Sequence, residues 1–136
     1  MQSTGTGHRR RRSWLLVTVA LTVVVGLTTH VLGSGPLADL AGDMLYAVMV
    51  YAALAFVFPR ASVLVVSLSA LGICALIELF QLTGLPAVWG ETFWPIRLVL
   101  GAGFDAVDLI AYAAGAGLAA ASDLALTRRA RASRRV

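Results

Sequence analysis

SVLVVSLSALGICALIELFQL, residues 62–82, is the stretch that decides the fold. Its 21 residues hold one charged side chain, Glu78, close to the end. A helix rises 1.5 Å per residue, so about 20 apolar residues cross a hydrocarbon core of about 30 Å. Three further runs have the same character. Trp14 to Leu32 is apolar over 19 residues apart from its threonines and His30. Asp43 to Phe58 is short for a span unless it starts near Asp39, and Asp105 to Leu126 is the fourth run. Gly33-Ser34-Gly35-Pro36 breaks the chain between the first and second runs, and Pro59-Arg60 breaks it between the second and third. The fold class is therefore all-α, an integral membrane bundle of four transmembrane helices without internal repeats.

Composition leads to the same class. The chain has 136 residues, enough for one domain. Hydrophobic residues make up 59% and charged residues 13%, against about 45–50% and about 25% in soluble domains. The mean hydropathy is +0.84. A soluble fold of this size could not hide that much apolar surface, and disordered chains are polar and highly charged. The net charge of +4 does not mark a nucleic-acid protein, because no basic fold separates from the apolar middle. All 11 basic residues are arginines. Arg9 to Arg12 precede the first span, Arg128, Arg129, Arg131, Arg134 and Arg135 follow the last, and only Arg60 and Arg97 lie between. The chain divides into a basic N-terminal tail (1–13), a membrane domain (14–126) and a basic C-terminal tail (127–136), frayed after Leu126. With the N-terminus in the cytoplasm, Arg97 is the only arginine in an outside loop, so the positive-inside rule predicts that both termini are cytoplasmic. Arg11-Arg12-Ser13-Trp14-Leu15-Leu16 has the form of a twin-arginine export signal. The apolar core after it is long, and no clear small-x-small cleavage site follows, so the first span is expected to be retained. Cys74 is the single cysteine, which excludes an internal disulfide and reads as a small core residue.

The acids are not scattered. Six of the seven (Asp39, Asp43, Glu78, Glu91, Asp105 and Asp108) fall on the outer side in this topology, with Asp123 at the inner end. Counting about 20 residues from each inner landmark puts Asp43, Glu78 and Asp108, from three spans, at one level near the outer interface. Cys74, Glu78 and Gln81 share one face of the third span, and Asp108, Tyr112, Gly115 and Ala119 share one face of the fourth. Asp43 and Tyr46 share a face of the second. Ionisable groups at the membrane turn toward the bundle interior or a wet cavity. Asp43, Asp105 and Asp108 are expected in first helical turns, where the macrodipole favours an anion, and Asp43 or Asp105 can act simply as a cap. Glu78 stands at the unfavourable end of its helix and needs a partner. Arg97, the only nearby cation, is the expected one, with an interfacial snorkel as its alternative.

Between the third and fourth spans, residues 83–104 carry Trp89, Phe93, Trp94 and Phe104 with Pro86 and Pro95, a headgroup-level composition. An interfacial or re-entrant helix is expected at Ile96 to Leu100, and Gly101-Ala102-Gly103 joins it to the fourth span. Ala111, Gly115 and Ala119 form a small-residue stripe suited to close helix packing. No zinc set can be assembled from His8 and His30, and no cofactor is indicated. Ser34 and Ser62 have no His–acid pair to make a hydrolase triad. The carboxylates could hold a divalent cation through oxygen, although no metal site is assigned.

Several of these pieces together carry a resemblance: Gly42-Asp43-Met44-Leu45-Tyr46, Glu78-Leu79-Phe80-Gln81, Arg97-Leu98-Val99-Leu100-Gly101, and Phe104-Asp105-Ala106-Val107-Asp108-Leu109 followed by Tyr112 and Gly115. In this order, over roughly residues 30–120, the chain resembles a family of small bacterial membrane proteins catalogued as domain of unknown function 2809. Ala106 stands where the family pattern has an aromatic. More distantly the chain is similar to VanZ-like proteins, linked to glycopeptide resistance, but it lacks their Asp-Lys-x-x-His opening. The resemblance implies a multi-pass protein of the bacterial inner membrane with no assigned reaction.

The functional expectation is a binding module. Asp43, Tyr46, Glu78, Gln81, Arg97, Asp105, Asp108 and Tyr112 would form an acidic site at the extracytoplasmic interface for an envelope lipid or glycan headgroup. The alternatives are an enzyme on a lipid-linked substrate with Glu78 or Asp108 as general base, an ion or proton pathway, and a structural subunit of a larger membrane complex.

Overall fold

The computed structural model describes residues 4–101 and 103–132. Arg134, Arg135 and Ala102, which belong to the C-terminal tail and the glycine-flanked join, lie outside the described residues. Among the described residues six helices follow one another: α1 (Thr4–Leu32), α2 (Pro36–Val57), α3 (Val63–Gln81), α4 (Leu85–Thr92), α5 (Pro95–Leu100) and α6 (Ala106–Ala132). Four of them, α1, α2, α3 and α6, contain stretches long and apolar enough to cross a membrane. The short α4 and α5 sit between α3 and α6 at one end of the bundle.

The boundaries follow from local chemistry. α2 starts with Pro36 at its first positions, after Gly35 at a φ of 87°, and proline fits a helix start because its missing N–H has no partner there anyway. This start is earlier than the Asp43 expected from the sequence, so Asp43 lies two turns into α2 and caps nothing. The short second run is short only because its first turns, around Asp39, are less apolar. α3 starts at Ser62, whose Oγ accepts from the Val65 N–H at 3.3 Å. Four threonines of α1 satisfy themselves: Thr18, Thr22, Thr28 and Thr29 each donate to a backbone carbonyl of the preceding turn. Both ends of the chain are more helical than expected. α1 already includes Arg9 to Arg12, and α6 continues past Leu126 through Arg128 and Arg129.

α2 is the centre of the bundle. It packs on α1, α3 and α6, while α3 and α6 also meet. The buried positions are mostly small: Ala47, Ala52, Ala55, Ala70, Ala111 and Ala116. Large apolar side chains such as Leu64, Leu68, Leu76 and Ile110 point outward. In lipid the hydrophobic effect does not drive helices together, so contact depends on small residues that let backbones approach. Leu15 of α1 joins Tyr51, Ala52, Ala55, Val66 and Ala70 in one cluster; Ala47, Cys74 and Tyr112 form another.

The tightest approach is on the small-residue stripe of α6. A Cβ at Gly115 would run into the backbone carbonyl and Cα of Met44 on α2. A Cβ at Gly117, two residues on, would meet nothing within 4 Å. Gly115→Ala is therefore expected to destabilise the bundle by about 1–3 kcal/mol, since a backbone neighbour cannot step aside. Gly117→Ala is expected to be neutral or to stabilise by up to about 1 kcal/mol through helix propensity. Melting of the two variants in the same detergent checks the opposite signs.

At the end opposite α4 and α5, the chain builds a network that the sequence reading did not anticipate. Arg11 of α1 grips Asp123 of α6 with both arms of its guanidinium, Nε to Oδ1 at 3.1 Å and Nη2 to Oδ2 at 2.6 Å. Its Nη1 also donates to the Pro59 carbonyl at 3.3 Å, in the α2–α3 turn. Tyr51 of α2 donates to Asp123 Oδ2 at 3.0 Å. One buried carboxylate thus ties α1, α2, α6 and the turn together.

Candidate functional site

The eight sequence-predicted residues stand at the α4–α5 end, and four of them hold it together by hydrogen bonds across elements. Glu78, with none of its surface exposed, faces the start of α6. Its Oε1 accepts the Asp105 backbone N–H at 2.6 Å, and its Oε2 accepts the Tyr112 hydroxyl at 3.3 Å. The partner expected for Glu78 was Arg97, and this pair does not form. Among the described residues the only ion pair is Arg11–Asp123. Arg97 lies on α5, exposed, with its aliphatic stem against Gly90 of α4, where a Cβ would collide with it. The physical reason is distance along the loop. α4 intervenes between α3 and α5 and takes the Arg97 stem, while the chain entering α6 brings a backbone N–H to Glu78.

Gln81, one turn beyond Glu78, does the parallel job for α5. It is 7% exposed, and its Nε2 donates to the Leu100 carbonyl at 2.6 Å. Its Oε1 is buried without a hydrogen-bond partner. The amide lies where a Cβ of Gly101 would be, and Gly101 has a φ of 69°. Both the backbone angle and the space demand glycine at this position. Tyr46 of α2 reaches the neighbouring carbonyl, Val99, at 2.8 Å, and its ring packs on Tyr112 with centroids 6.4 Å apart. Residues from α2 and α3 thus pin the consecutive carbonyls of Val99 and Leu100.

Asp105 is a cap, as one of its two sequence readings had it. Its Oδ1 accepts from the Val107 N–H at 2.8 Å, satisfying a donor that the first turn of α6 leaves free. Asp108 follows in that turn and is half-buried. Asp43 of α2 is its neighbour. Asp108 also faces a cleft of ≈ 270 Å³, lined by Pro36, Asp39, Leu40, Asp105, Val107 and Asp108. Asp39 was read only as a boundary marker. Its spacing of four from Asp43 puts it on the same helix face, which is the signal that could have found it. Among the described residues no three His, Cys, Asp or Glu side chains converge as a metal site.

The structure therefore separates the predicted residues into two groups. Glu78, Gln81, Tyr46 and Tyr112 face inward and bond to the backbone or to each other. Asp105 and Asp108, joined by Asp39, line an open cleft that Asp43 does not line, and Arg97 is exposed on α5.

One family model, described as a protein of unknown function (DUF2809), matches residues 32–116, more than half of the chain. The chain belongs to the DUF2809 family. The DUF2809 match runs from the last residue of α1 through α5 into α6 and includes every residue of the predicted site. Arg11 and Asp123, at the other end, lie outside it. No curated protein and no solved structure matches the chain.

Proposed function

We propose that this DUF2809 protein is a multi-pass protein of the bacterial inner membrane, both termini cytoplasmic, that binds an envelope lipid or glycan headgroup at its extracytoplasmic end. The observation that carries the reading is the cleft of ≈ 270 Å³ between the starts of α2 and α6, with Asp39, Asp105 and Asp108 in its wall. A small concave site with a few convergent polar groups is where a ligand is bound and oriented. Carboxyl groups suit a cationic or hydroxyl-rich group, and Arg97, with no ion pair among the described residues, is free to meet a phosphate. The orientation follows from the arginines: Arg9 to Arg12, Arg60, Arg128 and Arg129 belong to the opposite end, which the positive-inside rule puts in the cytoplasm.

The enzyme reading with Glu78 as general base loses support, because Glu78 is fully buried and both of its oxygens are engaged. Asp108, at the cleft, keeps its place in either reading.

The test is native mass spectrometry of the purified protein after exposure to a bacterial envelope lipid extract, wild type beside Asp108→Asn and Arg97→Ala. The expected result is a retained lipid or glycolipid that falls at least fivefold in both variants, together with altered growth under cell-wall stress. Unchanged retention and unchanged growth in both variants overturn the reading.

A further inference from the structure

A second opening lies at the arginine end, away from the cleft. It is a groove of ≈ 250 Å³ between α2 and α3, lined by Leu54, Phe58, Ala61, Val65, Val66 and Ser69. Its wall is apolar apart from the Ser69 hydroxyl, and Phe58 and Val65 are more than half exposed, so it opens outward from the bundle. Phe58 and Ala61 flank the Pro59-Arg60 turn. Arg60 is therefore next in the chain to Ala61, a residue of the groove wall.

The charge around that turn is uncompensated. Asp123 is the only carboxylate side chain at this end among the described residues, and Arg11 occupies both of its oxygens. Arg12 lies over the Phe56 ring at 4.6 Å, Arg60 is exposed, and neither has an ion pair among the described residues. Arg128 and Arg129 follow Asp123 on α6, both exposed. The Arg11 hydrogen bond to the Pro59 carbonyl keeps the basic end of α1 beside the turn.

We infer that this groove is the seat of a bilayer phospholipid, with one acyl chain along the apolar wall and the phosphate at Arg60. An apolar trough beside a turn that carries an exposed arginine without an ion pair among the described residues matches the two halves of that molecule in order. Arginine pairs phosphate oxygens through two parallel N–H donors, and basic residues beside membrane spans attract anionic headgroups. The inference stands on residues remote from the acidic cleft and is independent of what the cleft binds.

Native mass spectrometry of the full chain in mild detergent tests it, with phosphatidylglycerol and a diacylglycerol of the same acyl chains as separate probes. The wild type is expected to retain phosphatidylglycerol at least fivefold more than diacylglycerol. Arg60→Gln should bring phosphatidylglycerol down to the diacylglycerol level. Ser69→Phe, which fills the groove from an exposed position, should reduce both. Both variants should melt as the wild type does, since neither side chain is buried. Equal retention of the two probes by the wild type, or undiminished phosphatidylglycerol in either variant, overturns the inference. So does a dimer that Ser69→Phe dissolves, which would make a second copy of the chain the occupant.

Discussion

Glu78→Ala is expected to destabilise the purified protein by about 3–4 kcal/mol, read as a lower melting temperature in detergent. Two losses add. The truncated side chain leaves a cavity in a fully buried position, and the Asp105 N–H and the Tyr112 hydroxyl lose their acceptors. Glu78→Gln is expected to cost only about 1 kcal/mol, because the amide fills the same volume and its oxygen can still accept the Asp105 N–H. The pair of variants also separates roles. If Glu78 holds α3 to the start of α6, the glutamine variant keeps lipid retention at the cleft. A general base would lose function in the glutamine variant with stability intact. Equal destabilisation by Ala and Gln would show that the two hydrogen bonds are not what holds the joint.

Asp123→Ala is the second large effect, expected to cost about 3 kcal/mol by leaving the Arg11 guanidinium without its carboxylate. The aspartate side chain is 7% exposed and the arginine 27%, so the arginine can recover part of its solvation by turning outward. That places the cost at the low end for breaking a buried pair. The Arg11→Met/Asp123→Ala double variant is expected to recover more than half of the loss, since removing both charges removes the desolvation penalty with the attraction. Losses that simply add in the double variant would mean that the two residues act separately. Because Tyr51 and the Pro59 carbonyl share the network, Asp123→Ala is also expected to loosen α1 first, seen as faster amide exchange in the first turns of its apolar stretch.

Much of the acidic end was legible as a pattern. The spacing of Cys74, Glu78 and Gln81 put them on one helix face, and all three are buried. The same holds for Tyr112 and Gly115, and the short helix at the end of the α3–α6 loop formed where Pro95 and Gly101 bracket it. Partners were less legible. Arg97 was the natural counterpart of Glu78 by charge, yet a backbone N–H took that place, and backbone donors carry no mark in a sequence. In the sequence the aromatics of α4 mark a headgroup-level segment and show no helical start. That start is made by Gly84 in a left-handed turn before Leu85 and Pro86. The network at the opposite end has no signature in the sequence, because Arg11 and Asp123 are 112 positions apart and each alone looks like an ordinary membrane flank.

The sequence by itself determined that this chain is a bundle of four long apolar helices with six of its seven acids gathered at one end and most of its arginines at the other. Hydropathy, helical rise and the spacing of polar residues are local quantities, and they are readable without knowing what packs where. Only the tertiary structure decided which acids are spent on joints and which stand at an opening. That choice depends on which backbone groups the loop after α3 brings within about 3 Å of each carboxyl group. It also depends on how closely α2 and α6 can approach across Gly115, where the missing side chain lets one backbone lie against another.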